Sequence, residues 1–168
     1  VRASETPTLA TTAIPLTATA TVPPTPRPLA ERVLIISFDG LRPDTIGKTP
    51  MINLIELMKS SAYTLNAQTI LPSSTLPSHT SMLDGMCPSK HGVYWNDYVP
   101  ENGYAIGVDL FDLAHASGLR TVMVVGKEKL RQITEPESTD SFIFKEMDSS
   151  IANLAVEEIK LGFGLMLI

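Results

Sequence analysis

Two short stretches of the sequence carry residue types and spacings that suit chemistry at a phosphorus atom. In the first, Ser74-Thr75-Leu76-Pro77, a threonine hydroxyl lies where a strand-like pattern gives way to a helical one that Gly85 can end. Unpaired backbone N–H groups and the dipole at a helix start favour an anion, so a phosphate could bind there without a basic side chain. The sequence therefore predicts Thr75 as a nucleophile that attacks phosphorus.

The second stretch is a continuous apolar run from Val33 that ends in Asp39-Gly40, the pattern of a parallel strand buried on both faces. Ligands of open α/β sheets bind at the carboxyl ends of the strands, where Asp39 would lie. A threonine hydroxyl is a weak nucleophile until a metal or a base helps to remove its proton. One metal ion shared by Asp39 and Thr75 would do this. Taken singly, Thr75 would be a helix cap and Asp39 a turn residue; their pairing favours the catalytic interpretation.

Two other features resemble sites but are not assigned as such. Gly126-Lys127 follows a further apolar run, but the remainder of a phosphate-binding loop motif is absent. Cys87 is the single cysteine of the chain, so it has no internal disulfide partner, and it is predicted to be a small buried residue.

Together with several later segments, these stretches resemble the N-terminal part of the type I phosphodiesterase/nucleotide pyrophosphatase family, a branch of the alkaline phosphatase superfamily. The resemblance covers nearly everything after residue 30. It rests on residues 38–40, 75–79 and 88–92, on Asn96, and on residues 111–114 and 125–129. The sequence has Leu76-Pro77-Ser78 where family members usually have Phe-Pro-Asn, a departure that bears on substrate preference more than on reaction type.

The resemblance implies a reaction and a role for several residues. The reaction is hydrolysis of phosphodiester or pyrophosphate bonds in small phosphate esters, with nucleotides among the candidate substrates. Two divalent metal ions, expected to be zinc, would clamp the phosphate. Asp39 corresponds to a metal ligand, Thr75 to the metal-bound nucleophile that forms a phospho-enzyme intermediate, and Asn96 to an amide that holds a phosphate oxygen. His79 and His91 correspond to scaffold positions and not to metal ligands.

The family's remaining metal ligands have no counterparts in the sequence. They are an Asp and a His in one motif, an Asp-His pair and a last His, and none of His79, His91 and His115 lies in such a motif. The chain is therefore interpreted as an incomplete part of the enzyme that is inactive by itself. Two alternatives remain open: a catalytically inactive truncated fragment, and a related phosphomonoesterase or phosphonate hydrolase of the same superfamily.

The predicted elements alternate between strand and helix, which favours an α/β fold with a mostly parallel sheet covered on both faces. With the resemblance, this predicts a truncated, alkaline-phosphatase-like three-layer αβα sandwich over residues 31–168, the N-terminal portion of a phosphodiesterase catalytic domain. Helices are predicted from Thr49-Pro50, from Thr75, after Asp109 and near residue 149. Strands are predicted over residues 62–70, 121–125 and 162–168, besides the run that ends at Asp39, and residues 135–141 are predicted as a loop.

Residues 1–30 are mostly Thr, Pro and Ala, a composition that predicts a disordered tether because it cannot bury enough apolar surface. A tether of this kind ahead of a hydrolase domain indicates an extracytoplasmic protein, secreted or attached to the cell envelope. No stretch is long and apolar enough to predict a transmembrane segment. A net charge of −5 without basic clusters argues against binding of a nucleic-acid polymer. The sequence makes no prediction of the oligomeric state.

Overall fold

The computed structural model describes residues 30–168, so the tether predicted over residues 1–30 lies, apart from its last position, outside the described residues. Four strands are present in the described part: β1 (Val33–Ile35), β2 (Thr121–Val125), β3 (Ser141–Phe144) and β4 (Leu165–Leu167). The α-helices are α1 (Ile52–Lys59), α2 (Thr75–Asp84), α3 (Pro88–His91), α4 (Leu110–Ala116) and α5 (Asp148–Leu161). Short 3₁₀ helices cover Pro43–Lys48, Pro100–Asn102, Glu128–Ile133 and Pro136–Ser138.

The strands form one parallel sheet in the order β1-β4-β2-β3. Because the strands are parallel, their carboxyl ends meet at one edge of the sheet, where β1 leads towards Asp39 and β2 leads into Lys127. Strand β4 lies between these two strands. The segments that follow β1 and β2 therefore converge in front of the end of β4, which is the position where α/β folds bind ligands.

Alternate residues of β2 divide the core into two layers, because successive side chains of a strand point to opposite faces. Met123 and Val125 belong to one buried cluster, and Val122 and Val124 belong to the other. The first cluster includes Leu76 of α2 and Phe111 of α4; the second includes Ile151 and Ala155 of α5. Helices thus cover both faces of the sheet, which confirms the predicted αβα architecture.

Several element boundaries agree with the sequence pattern. Strand β2 covers the predicted residues 121–125, and all five of its residues are buried. Helix α2 ends at Gly85, which adopts a left-handed conformation with φ of 69°. Helix α4 begins after Asp109, whose carboxylate accepts hydrogen bonds from the amides of Phe111 (2.6 Å) and Asp112 (3.1 Å).

The strand predicted over residues 62–70 is wrong. This stretch has no regular secondary structure, and all its residues except Ile70 are exposed. Its loose alternation of apolar and polar residues suits a strand, but a strand also needs a neighbour to pair with. Within the described residues, the sheet is completed by β3, which begins at Ser141 in a region that the sequence pattern assigned partly to a loop.

Three further expectations need correction. Strand β1 lies at the edge of the sheet and is not buried on both faces, since Val33 is 46% exposed. Thr49 does not cap the next helix, because its hydroxyl donates backwards to the carbonyl of Thr45 (3.0 Å) and α1 begins only at Ile52. Cys87 is exposed, with its Sγ 3.0 Å from the hydroxyl of Ser89.

Candidate active site

Thr75 is the first residue of α2, and packing of this helix against the sheet fixes its position. Ser74 precedes it in an extended conformation and makes no side-chain capping bond. Leu76 and Thr80 are fully buried, and Leu83 is 3% exposed, so one face of α2 is held in the core. The start of the helix, where N–H groups lack intrahelical partners, therefore lies at the carboxyl edge of the sheet.

Asp39 and Thr75 are brought into direct contact, although they are 36 residues apart in the chain. The Thr75 hydroxyl donates a hydrogen bond of 3.0 Å to Oδ2 of Asp39. The Nζ atom of Lys127 donates to the same Oδ2 atom and forms an ion pair with it. Nζ also lies 3.3 Å from the Thr75 hydroxyl oxygen. The three groups form one cluster of a carboxylate, a hydroxyl and an ammonium.

This cluster keeps Asp39 ionised. The hydrogen bond from Lys127 is the main cause of a lowered pKa for the Asp39 carboxyl; burial opposes it and the Thr75 hydroxyl reinforces it. The side chains of Asp39 and Lys127 are 39% and 44% exposed, so an incoming anion or cation can reach both. The carboxylate is therefore charged at neutral pH and accessible from solvent.

His79 connects the start of α2 to the segment that follows β1. Its Nδ1 donates to the carbonyl of Thr75 (2.8 Å), and its Nε2 lies 2.7 Å from the hydroxyl of Ser37. His91 is fully buried; its Nε2 lies 3.0 Å from the Ser81 hydroxyl, and its Nδ1 accepts from the backbone N–H of Val93 (3.1 Å). Each ring nitrogen of these two histidines thus has a partner within the protein.

Asn96 lies beside the start of α2. Its side-chain oxygen Oδ1 accepts a hydrogen bond of 3.0 Å from the backbone N–H of Leu76, the residue after Thr75. This contact fixes the orientation of the amide and leaves its NH₂ group as a donor. Lys129 holds the same residue from the other side, since its Nζ donates to the Asn96 carbonyl (2.6 Å).

A buried glutamine holds the loop that carries Asn96. Gln132 is 1% exposed, and its Oε1 accepts from the indole N–H of Trp95 (3.2 Å) and from the N–H of Val99 (2.9 Å). Its Nε2 donates to the carbonyls of Val99 and Gly103, both at 2.7 Å. Each hydrogen-bonding position of this side chain is therefore used to fix the loop.

Three further residues of this region, Lys127, Lys129 and Gln132, follow β2 within a few residues and were not among the predicted site residues. The absence of a phosphate-binding loop motif around Gly126-Lys127 does not exclude a site role for Lys127, since its ammonium contacts both Asp39 and Thr75. A lysine placed directly after a buried parallel strand, at the sheet edge that also receives Asp39, was the available signal. For Gln132, whose neighbours include Lys129, Arg131 and Thr134, no local sequence signal indicates a buried residue.

A cavity of about 610 Å³ opens beside the cluster. Asp39, Thr75, His79 and Lys127 form its polar end. Most of the remaining lining is aliphatic and comes from β1, β4 and α5, including Leu34, Ile151 and Leu167. Ser37, Phe38 and Asp148 also line the cavity. The arrangement offers a polar end for an anionic group and apolar walls beside it.

Two side chains of the cluster, Asp39 and Thr75, could serve as ligands of a divalent cation. Asp39 Oδ2 and Thr75 Oγ1 are oxygen donors 3.0 Å apart, one of them charged, and both face the same cavity. Structural and catalytic zinc sites take three or four protein ligands. Within residues 30–168 there is no group of three or more His, Cys, Asp or Glu side chains placed to hold a metal. Asp39 and Thr75 alone are therefore fewer than the ligands that a complete zinc site takes.

A family model described as type I phosphodiesterase / nucleotide pyrophosphatase matches residues 33–129, more than half of the chain. The matched range contains Asp39, Thr75, Asn96 and Lys127 and reaches Lys129. The chain belongs to the type I phosphodiesterase/nucleotide pyrophosphatase family, as its sequence motifs predicted.

Individual relatives match over a shorter range. Bis(5'-adenosyl)-triphosphatase enpp4 of Xenopus laevis is 32% identical over 65 residues, 39% of this chain and 14% of that protein. Human ectonucleotide pyrophosphatase/phosphodiesterase family member 5 is 30% identical over 71 residues, 42% of this chain and 15% of the relative. Human family member 1 is 34% identical over 67 residues, 38% of this chain and 7% of the relative. The chain thus spans a small part of the length of each relative.

The helices of the described part, residues 30–168, are all too short or too polar to cross a lipid bilayer.

Proposed function

We propose that the chain forms part of a metal-dependent hydrolase site that cleaves phosphodiester or pyrophosphate bonds through Thr75. The observation that carries this proposal is the 3.0 Å hydrogen bond from the Thr75 hydroxyl to Asp39, at a helix start and at the carboxyl edge of a parallel sheet. Family membership supports the reaction class. The names of the relatives, which include a bis-adenosyl triphosphatase and nucleotide pyrophosphatases, support nucleotides as candidate substrates.

In the proposed reaction, the Thr75 oxygen attacks phosphorus in line with the leaving group. A Thr75 O–P bond forms as the bond from phosphorus to the leaving oxygen breaks, and the hydroxyl proton of Thr75 leaves to solvent. Water then cleaves the phosphothreonine, which releases the phosphate product and restores the hydroxyl. The Thr75 hydroxyl proton points at Asp39 Oδ2, which orients an oxygen lone pair away from the carboxylate and towards the cavity. Two divalent ions, expected to be zinc, would lower the pKa of the hydroxyl when bound, with Asp39 and Thr75 as two ligands of one ion.

The developing negative charge needs fixed donors. The contact of Asn96 Oδ1 with the backbone N–H of Leu76 orients the side-chain NH₂ of Asn96. The backbone N–H of Thr75 is the first N–H group of α2. We assign these two donors to the non-bridging phosphate oxygens. Preorganised donors of this kind stabilise a transition state because they need no reorientation during the reaction.

Two accompanying proposals concern the setting of the site. Residues 30–168 supply two metal-ligand oxygens and no larger ligand group, so the 168-residue chain alone should bind zinc weakly and turn over no phosphodiester. The term "ectonucleotide" in the names of two relatives supports an extracytoplasmic location, secreted or attached to the cell envelope.

The test compares Thr75→Val and Thr75→Ser in the full-length protein, with bis(p-nitrophenyl) phosphate as the diester and p-nitrophenyl phosphate as the monoester. Valine preserves the shape of threonine but removes the hydroxyl, so kcat should fall by about 10⁴-fold or more, whereas serine should retain part of the activity. An unchanged rate for Thr75→Val rejects the proposal. Faster cleavage of the monoester than of the diester by the unmodified protein instead supports the related phosphomonoesterase function.

A further inference from the structure

The ammonium of Lys127 lies within the site, where its positive charge affects the binding of any charged ligand. Its ammonium donates to Asp39 Oδ2 and lies 3.3 Å from the Thr75 hydroxyl oxygen. It therefore touches both oxygens that would bind a divalent cation. Among the described residues, no other lysine or arginine has a contact with Asp39 or Thr75 in the hydrogen-bond and ion-pair network.

The ammonium and a divalent cation cannot share these two oxygens. Both are positive, and their repulsion at such short range exceeds what one carboxylate offsets. The lysine side chain can leave, since it has a flexible four-carbon stem and 44% of its surface is exposed at the mouth of the cavity. Its backbone stays fixed, because Gly126 and Lys127 directly follow the buried strand β2.

We propose that Lys127 is a phosphate-binding residue whose ammonium exchanges its contact with Asp39 for a non-bridging phosphoryl oxygen when a cation binds to Asp39 and Thr75. The ligand class is any phosphoryl group at Thr75: a phosphate ester, a pyrophosphate or inorganic phosphate. The inference rests on the proposed function, because it takes the Thr75 oxygen as the point of phosphoryl attachment. From its position 3.3 Å from that oxygen, the ammonium needs only a small movement to reach an oxygen on the attached phosphorus.

The two contacts predict opposite effects of one substitution. In Lys127→Met the competing ammonium is gone, so Zn²⁺ alone should bind about fivefold more tightly. Inorganic phosphate should then bind to the zinc-loaded variant about tenfold or more weakly, because a charge-assisted hydrogen bond is lost. A lysine with a merely structural role would change both affinities in the same direction or neither.

The measurement is an amide NMR titration of the 168-residue chain, first with Zn²⁺ and then with inorganic phosphate, following residues near positions 39, 75 and 127. Lys127→Arg should retain both affinities within a few-fold, since the guanidinium keeps the charge. Lys160→Met, on the exposed face of α5, is the matched control and should change neither affinity. Amide spectra of all variants should match the parent outside the cavity, which shows that each is folded.

The outcomes separate this inference from the function it rests on. Weaker phosphate binding with tighter zinc binding supports the inference. Phosphate affinity that is unchanged in Lys127→Met overturns it, even if Asp39→Asn abolishes zinc binding and so leaves the proposed function standing. Loss of both affinities in Lys127→Met also overturns it, since the lysine would then act through the fold. If Asp39→Asn leaves zinc binding unchanged, the proposed metal site and the inference both fail.

Discussion

At the scale of single residues, the site centres on one oxygen atom. Oδ2 of Asp39 accepts hydrogen bonds from a hydroxyl and from an ammonium that come from distant parts of the chain. This arrangement supports a charged carboxylate and gives the Thr75 hydroxyl one preferred orientation. Beside it, Oδ1 of Asn96 accepts from the start of α2, and the side-chain NH₂ group of Asn96 is the donor that we assign to a phosphate oxygen.

This division of tasks in Asn96 leads to a prediction. In Asn96→Asp the retained oxygen still accepts from the Leu76 amide, but the donor is lost and a negative charge faces the phosphate site. Phosphate affinity of the zinc-loaded protein should fall about 100-fold, while the urea midpoint changes little. Isothermal titration with inorganic phosphate measures the first quantity. Asn53→Asp, on the exposed face of α1, is the matched control. Unchanged affinity in Asn96→Asp would contradict the role of the amide.

At the scale of elements, the 3₁₀ helix Glu128–Ile133 acts as a second support for the site, next to α2. Its lysine and glutamine contact the loop that carries Asn96, and Lys127 immediately precedes it. The helix packs against α2 and into the main core through Leu130 and Ile133. The position of Asn96 therefore depends on contacts from this 3₁₀ helix.

Replacement of Gln132 should show this dependence. Gln132→Leu leaves four polar groups of the loop without partners, including the indole N–H of Trp95, and should lower the free energy of unfolding by about 3 kcal/mol. Trp95 is the only tryptophan, so its emission reports the loop directly and should shift before global unfolding. Gln68→Leu replaces an exposed glutamine and should leave emission and stability unchanged. Equal stabilities for the two variants would contradict the supporting role of Gln132.

Asp140 connects the starts of strands β2 and β3 and makes a pH-dependent contribution to the free energy of unfolding. Its carboxylate accepts from the backbone N–H of Thr121 (2.8 Å) and from the Thr121 hydroxyl (3.1 Å). The backbone hydrogen bond is the main cause of a lowered pKa for Asp140. Because the pKa of Asp140 in the folded state is below its ordinary value of 3.8, the stabilisation by its carboxylate is fully present when the pH is above this ordinary value. It is lost as the pH falls through the lower folded-state pKa.

Asp140→Ala should therefore lower the free energy of unfolding by about 1 kcal/mol at about pH 7, and by less at about pH 3. The value at about pH 7 takes account of solvent screening, because the carboxylate is exposed. Urea unfolding at the two pH values measures the difference. Asp97→Ala removes an exposed aspartate and serves as the control. A cost that does not shrink in acid would show that the carboxylate charge is irrelevant at this position.

The sequence predicted the elements that a local pattern determines, either an apolar run or a capping residue. Strand β2 and helix α4 are examples, since a buried apolar run and the Asp109 cap determine them locally. Residues 62–70 and β3 depended on pairing across the sheet, which no local pattern encodes. At the site, Asp39 and Thr75 could be predicted to meet because strand ends converge at one edge. The placement of Lys127 at the same edge could be predicted for the same reason. Its side-chain hydrogen-bond partners and those of Gln132 could not, because these contacts join residues at least 52 and 29 positions apart in the chain.

At the scale of the whole molecule, the described part has an unpaired edge. Strand β1 has β4 on one side, and on the other no strand among residues 30–168. Its residues are partly exposed, as are Ile36 and Phe38 that follow it. An exposed apolar strand edge can pair with another chain, so the molecule carries a surface that favours association.

The 168-residue chain should accordingly associate as its concentration rises. Val33→Lys places a charge on the edge and should shift the chain towards monomer, because a lysine on an edge strand opposes pairing. Val108→Lys, at an exposed position away from the edge, should not. Light scattering coupled to size-exclusion chromatography measures the mass. A parent chain that stays monomeric at every concentration would contradict this view of β1.

The central claim is that the oxygen of Thr75 forms a bond to phosphorus, and trapping that bond tests it most directly. The full-length protein is mixed with Zn²⁺ and a phosphodiester, quenched in acid during turnover, digested, and examined by mass spectrometry. The account predicts a phosphorylated peptide with the phosphate on Thr75, absent from Thr75→Val. Turnover of the diester with Thr75 unmodified, at a rate that Thr75→Val retains, would contradict it.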